Sequence, residues 1–119
     1  MRKFRGYCHD GKASGWVYGL LTGQGTLPSG FEYGHIGTAL CPKESIGQFT
    51  GHIDKNGKEV YEGDVVHREV DGEMFKFYVI WEEHNGRWAL VGDDYEPKEH
   101  DGFFITSGEI EVVGQRYEA

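Results

Sequence analysis

The Asx-Gly dipeptides Asn56-Gly57, Asp71-Gly72 and Asn85-Gly86 punctuate this chain at near-regular intervals. Asn, Asp and Gly tolerate the positive φ that the tightest hairpin turns demand, so such a dipeptide between apolar runs is the strongest short-range signal for two antiparallel strands. The runs between them are short and rich in Val, Phe, Tyr and Trp, which suit a pleated, half-buried backbone. Residues 64–70 (DVVHREV) and 73–81 (EMFKFYVIW) therefore read as one hairpin about Asp71-Gly72. Residues 82–86 turn the chain into a third strand beginning at Arg87. In the second run Phe75, Phe77, Val79 and Trp81 alternate with Met74, Lys76, Tyr78 and Ile80. Its far end is apolar on both faces, as expected of a central strand.

The remaining chain reads in the same way. Residues 3–7 form a first strand, residues 11–15 a turn and residues 15–23 (GWVYGLLTG) a second strand. Residues 24–38 are glycine-rich loops or an irregular hairpin, and residues 46–50 are strand again. FFIT (103–106) and EIEVVGQRYE (109–118) complete the set. Glycine, at 19 of 119 residues, is scattered singly, as many short strands with tight turns require. No stretch repeats apolar residues at helical spacing over three turns. One short helix is expected after Cys41-Pro42, with Pro in its first turn and Gly47 ending it. The expected fold is mainly β: a small SH3-like barrel in the C-terminal half, with a glycine-rich, strand-containing N-terminal lobe. A single domain over 1–119 is expected, divided into a lobe at 1–45 and a motif and barrel-like region at 46–119.

Charge narrows the function classes. The chain carries 12 Lys and Arg against 20 Asp and Glu, a formal −8. The division is uneven: residues 1–50 have five basic and three acidic side chains, and residues 51–119 have seven and seventeen. Generic nucleic-acid affinity comes mostly from neutralising phosphates, which an acidic chain does poorly. No apolar run approaches the roughly 18–20 residues that span a bilayer as a helix. The basic start, MRKFRGYCHD, has no apolar segment behind it, so no secretory signal and no membrane partner are expected. Cys8 and Cys41 are too few for a disulfide scaffold and are expected to be reduced thiols of a cytoplasmic protein.

The densest pattern is GQFTGHIDKNGKEVYEGDVV, residues 47–66, which gathers Asp54, Asn56, Glu59, Glu62 and Asp64. It fails as a calcium loop. An EF-hand wants oxygen ligands at positions 1, 3 and 5, Gly at 6 and Glu at 12. With Gly57 at the Gly position, His52 opens the loop and Gly63 replaces the Glu; with Asp54 first, Glu59 replaces the Gly. As a carboxylate pair for hydrolysis, Glu62 and Asp64 lack a signalled apolar pocket, and Lys55 and Lys58 flank them. The turn reading accounts for more of the residues. Asp54 can cap a turn with its side chain, Asn56 and Gly57 both tolerate positive φ, and Gly63 is free to bend a second turn into the strand at Asp64. Phe49, Ile53, Val60 and Tyr61 would then supply the buried side.

This string resembles the signature of the YopX family of phage and prophage proteins. KFRGYCHDGKASGWVYG near the start and EIEVVGQRYE at the end also resemble that family's opening and close, while residues 23–43 match least. His52 departs from the pattern, where Leu is common. The resemblance implies a β-rich protein of phage or prophage origin acting in the bacterial cytoplasm. It implies no reaction and brings no catalytic residues. Asp54, Asn56, Gly57, Glu62, Gly63 and Asp64 stand as the family motif, read as structural turns.

Other residue groups lack a signature. Cys8, His9, His35 and Cys41 include no closely spaced zinc pairs, and no metal is expected. A Cys–His hydrolase built on either cysteine has no local motif. GLLTGQG has neither the Walker Lys-Ser/Thr nor dinucleotide spacing, so no cofactor is expected. Trp16, Tyr18, Trp81 and Trp88 would serve as a stacking platform if exposed. The acidic loop at 92–101 reads as a solvated segment, with contact to a basic protein surface as its functional alternative. The functional expectation is a non-enzymatic accessory protein that binds a host protein or self-assembles. The alternatives are a nucleic-acid module using Arg2, Lys3 and Arg5, and a small hydrolase using Glu62 and Asp64.

Overall fold

A computed structural model describes residues 2–10, 13–83, 85–92, 103–104 and 109–117. The side chains of His9, Asp10, Ala13, Ser14, Phe103 and Phe104 are outside that description. The fold is mainly β, as expected. Twelve strands are described: β1 Phe4–Asp10, β2 Ala13–Gly19, β3 Leu21–Thr26, β4 Glu32–Ile36, β5 Ala39–Pro42, β6 Gly47–Ile53, β7 Glu59–Tyr61, β8 Asp64–Val70, β9 Glu73–Glu82, β10 Arg87–Val91, β11 Phe103–Phe104 and β12 Ile110–Gln115. The chain separates into two compact units, Met1–Phe49 and Thr50–Glu118, with the division inside β6.

In the first unit β1 and β2 form an antiparallel hairpin in continuous register from Phe4↔Gly19 to Asp10↔Ala13. β3, β4 and β5 form a three-stranded antiparallel sheet with a register shift between Leu21 and Gly23. The run expected as one strand over 15–23 is thus two strands, parted at Leu20, which is exposed. The irregular-hairpin reading of 24–38 is the one that forms. The expected helix is a single 3₁₀ turn, Lys43–Ser45, with Pro42 as its N-cap. Ser45 holds this turn to β1 by accepting the Tyr7 N–H at 3.0 Å and donating to Pro42 O at 2.7 Å. Close approach of β1 and β5 depends on Gly6, where an added Cβ would lie 2.8 Å from Cys41 Sγ and 3.3 Å from Ile46 Cγ1. Both cysteines are buried free thiols.

The second unit centres on an antiparallel sheet of order β11-β10-β9-β8-β12, curled into a half-barrel. The curl makes this sheet barrel-like. Val70 pairs with Glu73 across a two-residue turn in which Asp71 has φ 52° and Gly72 has φ 84°. Two positive φ values in succession define the type I′ turn, whose twist matches that of the strands. Directly paired residues share a face, so Val112, Val66 and Phe77 line one side across three strands, with Val79 opposite Leu90 beside them. Val60 and Ile110 complete this core.

Burial departs from simple alternation in both β6 and β9. Ile53, expected inside, is 48% exposed, and Thr50 takes the buried position on β6 while donating to Val60 O at 2.8 Å. At the end of β9 Trp81 is 45% exposed and Glu82 is buried. Glu82 Oε1 accepts from Arg87 Nε at 2.7 Å and from Asn85 Nδ2 at 2.6 Å. The ion pair and the amide satisfy the carboxylate, which is what allows it to replace an apolar side chain there. Trp81 instead packs edge-on against its cross-strand partner Trp88, with ring centroids 5.0 Å apart.

Candidate functional site

The patterned segment 47–66 forms two successive turns, and both reach the closing strand β12. In the first, Asp54 Oδ1 accepts the backbone N–H groups of Asn56 at 2.9 Å and Lys58 at 2.8 Å, while the Asp54 amide donates to Lys58 O. This is the side-chain-to-backbone turn that a short acidic residue makes at minimal entropic cost. Gly57 takes φ 82°; Asn56 does not take the positive φ its type tolerates.

The other oxygen points to β12. Asp54 Oδ2 accepts the Val112 N–H at 2.9 Å, and the Lys55 N–H donates to Ile110 O at 3.0 Å. A neighbouring strand would supply one acceptor and one donor at these two positions. Here a carboxylate stands in for the strand's carbonyl. Burial alone would raise the Asp54 pKa, but the N–H groups of Val112, Lys58 and Asn56, aided by the nearby Lys58 charge, outweigh it. The carboxyl is held below its ordinary value. Asn56 Nδ2 adds a bond to Glu111 Oε2 at 3.1 Å.

In the second turn Gly63 has φ 88°, a left-handed conformation that side chains rarely adopt. Its N–H donates to Val79 O at 2.9 Å, and its carbonyl accepts the Arg116 N–H at 2.7 Å. Asp64, fully buried, accepts the Tyr61 N–H on Oδ2 at 2.8 Å. Glu62 is half-buried. The motif therefore clasps β12 at both ends: Asp54 and Lys55 at Ile110–Val112, Gly63 at Arg116. The Asp54 bonds to Asn56, Lys58 and Val112 and the Asp64 bond to Tyr61 are to main chain, so these contacts serve the fold directly.

Beside the first turn an open groove of about 600 Å³ runs between the start of β12 and the arm of the β8–β9 hairpin. Lys55, His67, Glu69, Asp71, Met74 and Glu111 are among its walls. Arg68 contacts Glu109 at 3.0 Å, and Lys55 lies 3.9 Å from Glu111. Sequence reasoning did not single out this groove, because its walls come from three separated segments.

The other candidates are distributed through the fold. Arg5, proposed for phosphate contact, is buried with its guanidinium 4.8 Å from the Trp16 ring centre. Burial pushes the Cys41 thiol up, and the charge of Cys8 adds to the shift. His35 packs edge-on to Tyr33. Among the described residues no three His, Cys, Asp or Glu side chains converge as a metal-binding set, and no helix is long and apolar enough to cross a membrane. The acidic loop, beyond Gly92, lies outside the described residues.

Residues 24–119 match the family described as YopX protein, which is most of the chain. No curated protein matches it.

Proposed function

The chain belongs to the YopX family, and from that premise we propose that it is a phage- or prophage-encoded accessory protein of the bacterial cytoplasm that works by contact with a protein. The observation that carries this reading is the arm of the β8–β9 hairpin. Met74 is 59% exposed and Phe75 43% exposed, consecutive residues on opposite faces of its end. Large apolar side chains exposed on both faces of an otherwise charged arm are costly to hydrate and favour association. Phage origin and bacterial cytoplasm rest on the resemblance of the 47–66 motif. Contact with a host protein is preferred to contact with nucleic acid because residues 50–118 hold 7 basic side chains against 17 acidic ones.

The test is affinity purification from bacteria producing the protein at native level, followed by mass spectrometry and by light scattering of the purified chain. Enrichment of one protein in stoichiometric amount, or a defined oligomer, is the expected result. A monomer that recovers only nucleic acid, lost on nuclease treatment, would overturn the reading.

A further inference from the structure

We infer that the groove between the β8–β9 arm and the start of β12 is a docking site for a basic, partly apolar peptide segment of a protein partner. The inference rests on the reading of the chain as an interaction protein and names the surface and the chemistry of its partner.

Two observations converge there. The groove, about 600 Å³ and open to solvent, has the dimensions of a site for a few side chains rather than for a single ion. Its apolar walls are Val70 and Met74, and the flexible thioether of Met74 adapts to varied partners.

The electrostatics decide the sign of the occupant. Of the cations on the groove wall, Arg68 is engaged by Glu109 and Lys55 by Glu111. Glu69 and Asp71 line the same groove, and among the described residues neither has an ion pair. Glu73 follows on the same exposed turn. A Lys or Arg side chain laid along Met74 would put its aliphatic stem on the thioether and its charged head between Glu69 and Asp71. An acidic segment or a nucleic-acid backbone would meet these carboxylates with like charge.

The experiment is an amide NMR titration of the full chain with the peptide acetyl-Lys-Leu-Lys-Leu-Lys-amide and its counterpart with Glu in place of Lys. The expected result is saturable shifts confined to Glu69–Met74, Glu109 and Glu111 for the Lys peptide and none for the Glu peptide. The paired substitution Glu69→Gln with Asp71→Asn should weaken binding about fivefold, as two solvent-exposed charge contacts would. Met74→Ser should weaken it without changing its salt dependence. Both sets lie on an exposed arm, and unchanged urea unfolding midpoints verify that they fold. Equal binding of the two peptides, or shifts elsewhere in the chain, would overturn the inference. Partner capture that survives both sets of substitutions would also overturn it while leaving the broader proposal standing.

Discussion

The Asp54 carboxylate accepts the backbone N–H of Val112 at 2.9 Å, across 58 positions of sequence. The same side chain organises its own turn through Asn56 and Lys58. One residue thus joins a local motif to the strand that closes the sheet, and removing it would release three backbone donors at once.

Asp54→Ala is expected to destabilise the protein by about 3 kcal/mol, the scale for losing buried bonds to a charged acceptor. Urea unfolding at neutral pH measures it. A loss below about 0.5 kcal/mol would mean that water replaces the carboxylate without penalty.

The same residue predicts an acid-dependent term. A carboxylate whose folded pKa lies below its ordinary 3.8 contributes stability that is fully present above that value. The contribution is lost as pH falls through the folded value, because the unfolded chain binds the proton first. Unfolding free energy should fall more steeply between pH 5 and pH 2 in the natural chain than in Asp54→Asn, a range set by ordinary carboxylate titration at about pH 4. Parallel profiles for the two proteins would remove Asp54 from the acid response.

Gly63→Ala should cost about 1–2 kcal/mol, the steric penalty of a Cβ in the left-handed region. The backbone cannot relax freely there, since both its N–H and its carbonyl are bonded, to Val79 and Arg116. Thermal unfolding should show a lowered midpoint, with Gly63→Asn affected less because Asn tolerates positive φ.

Glu82→Ala should destabilise by about 3 kcal/mol, since it removes the carboxylate from a buried pair and leaves the Arg87 guanidinium behind. The double variant Glu82→Leu with Arg87→Leu should recover much of the loss. Urea unfolding of the natural chain and the two variants separates the ion pair from simple packing; equal losses in both variants would remove the ion pair as the cause.

Gly6→Ala should cost about 1–3 kcal/mol through overpacking against Cys41 and Ile46. A double-mutant cycle with Cys41→Gly checks the mechanism. The two changes should be strongly non-additive, because the second removes the sulfur 2.8 Å from the new methyl group.

What was legible in the sequence was local. The hairpin at Asp71-Gly72, the strand at Asp64–Val70 and the turn at Asp54 follow from φ preferences and side-chain reach over a few bonds. Alternation located Phe77 and Val79 in the core. It left Phe75 and Trp81 in the same set though both are largely exposed, and the turn reading misplaced Ile53, because neither pattern says how far along a strand the covering layer extends. At Glu82 the deciding group was Arg87, set opposite it only once β9 and β10 had paired.

By itself the sequence determined where the chain turns, and hence that it is built of short antiparallel strands. Those choices depend on the conformational energy of single residues and their immediate neighbours. Only the tertiary structure decided that Asp54 and Gly63 hold opposite ends of β12, that Gly6 makes room for Cys41, and that Glu69, Asp71 and Met74 share a groove with Glu111. Each of these depends on strand order, and strand order comes from burying many apolar faces together.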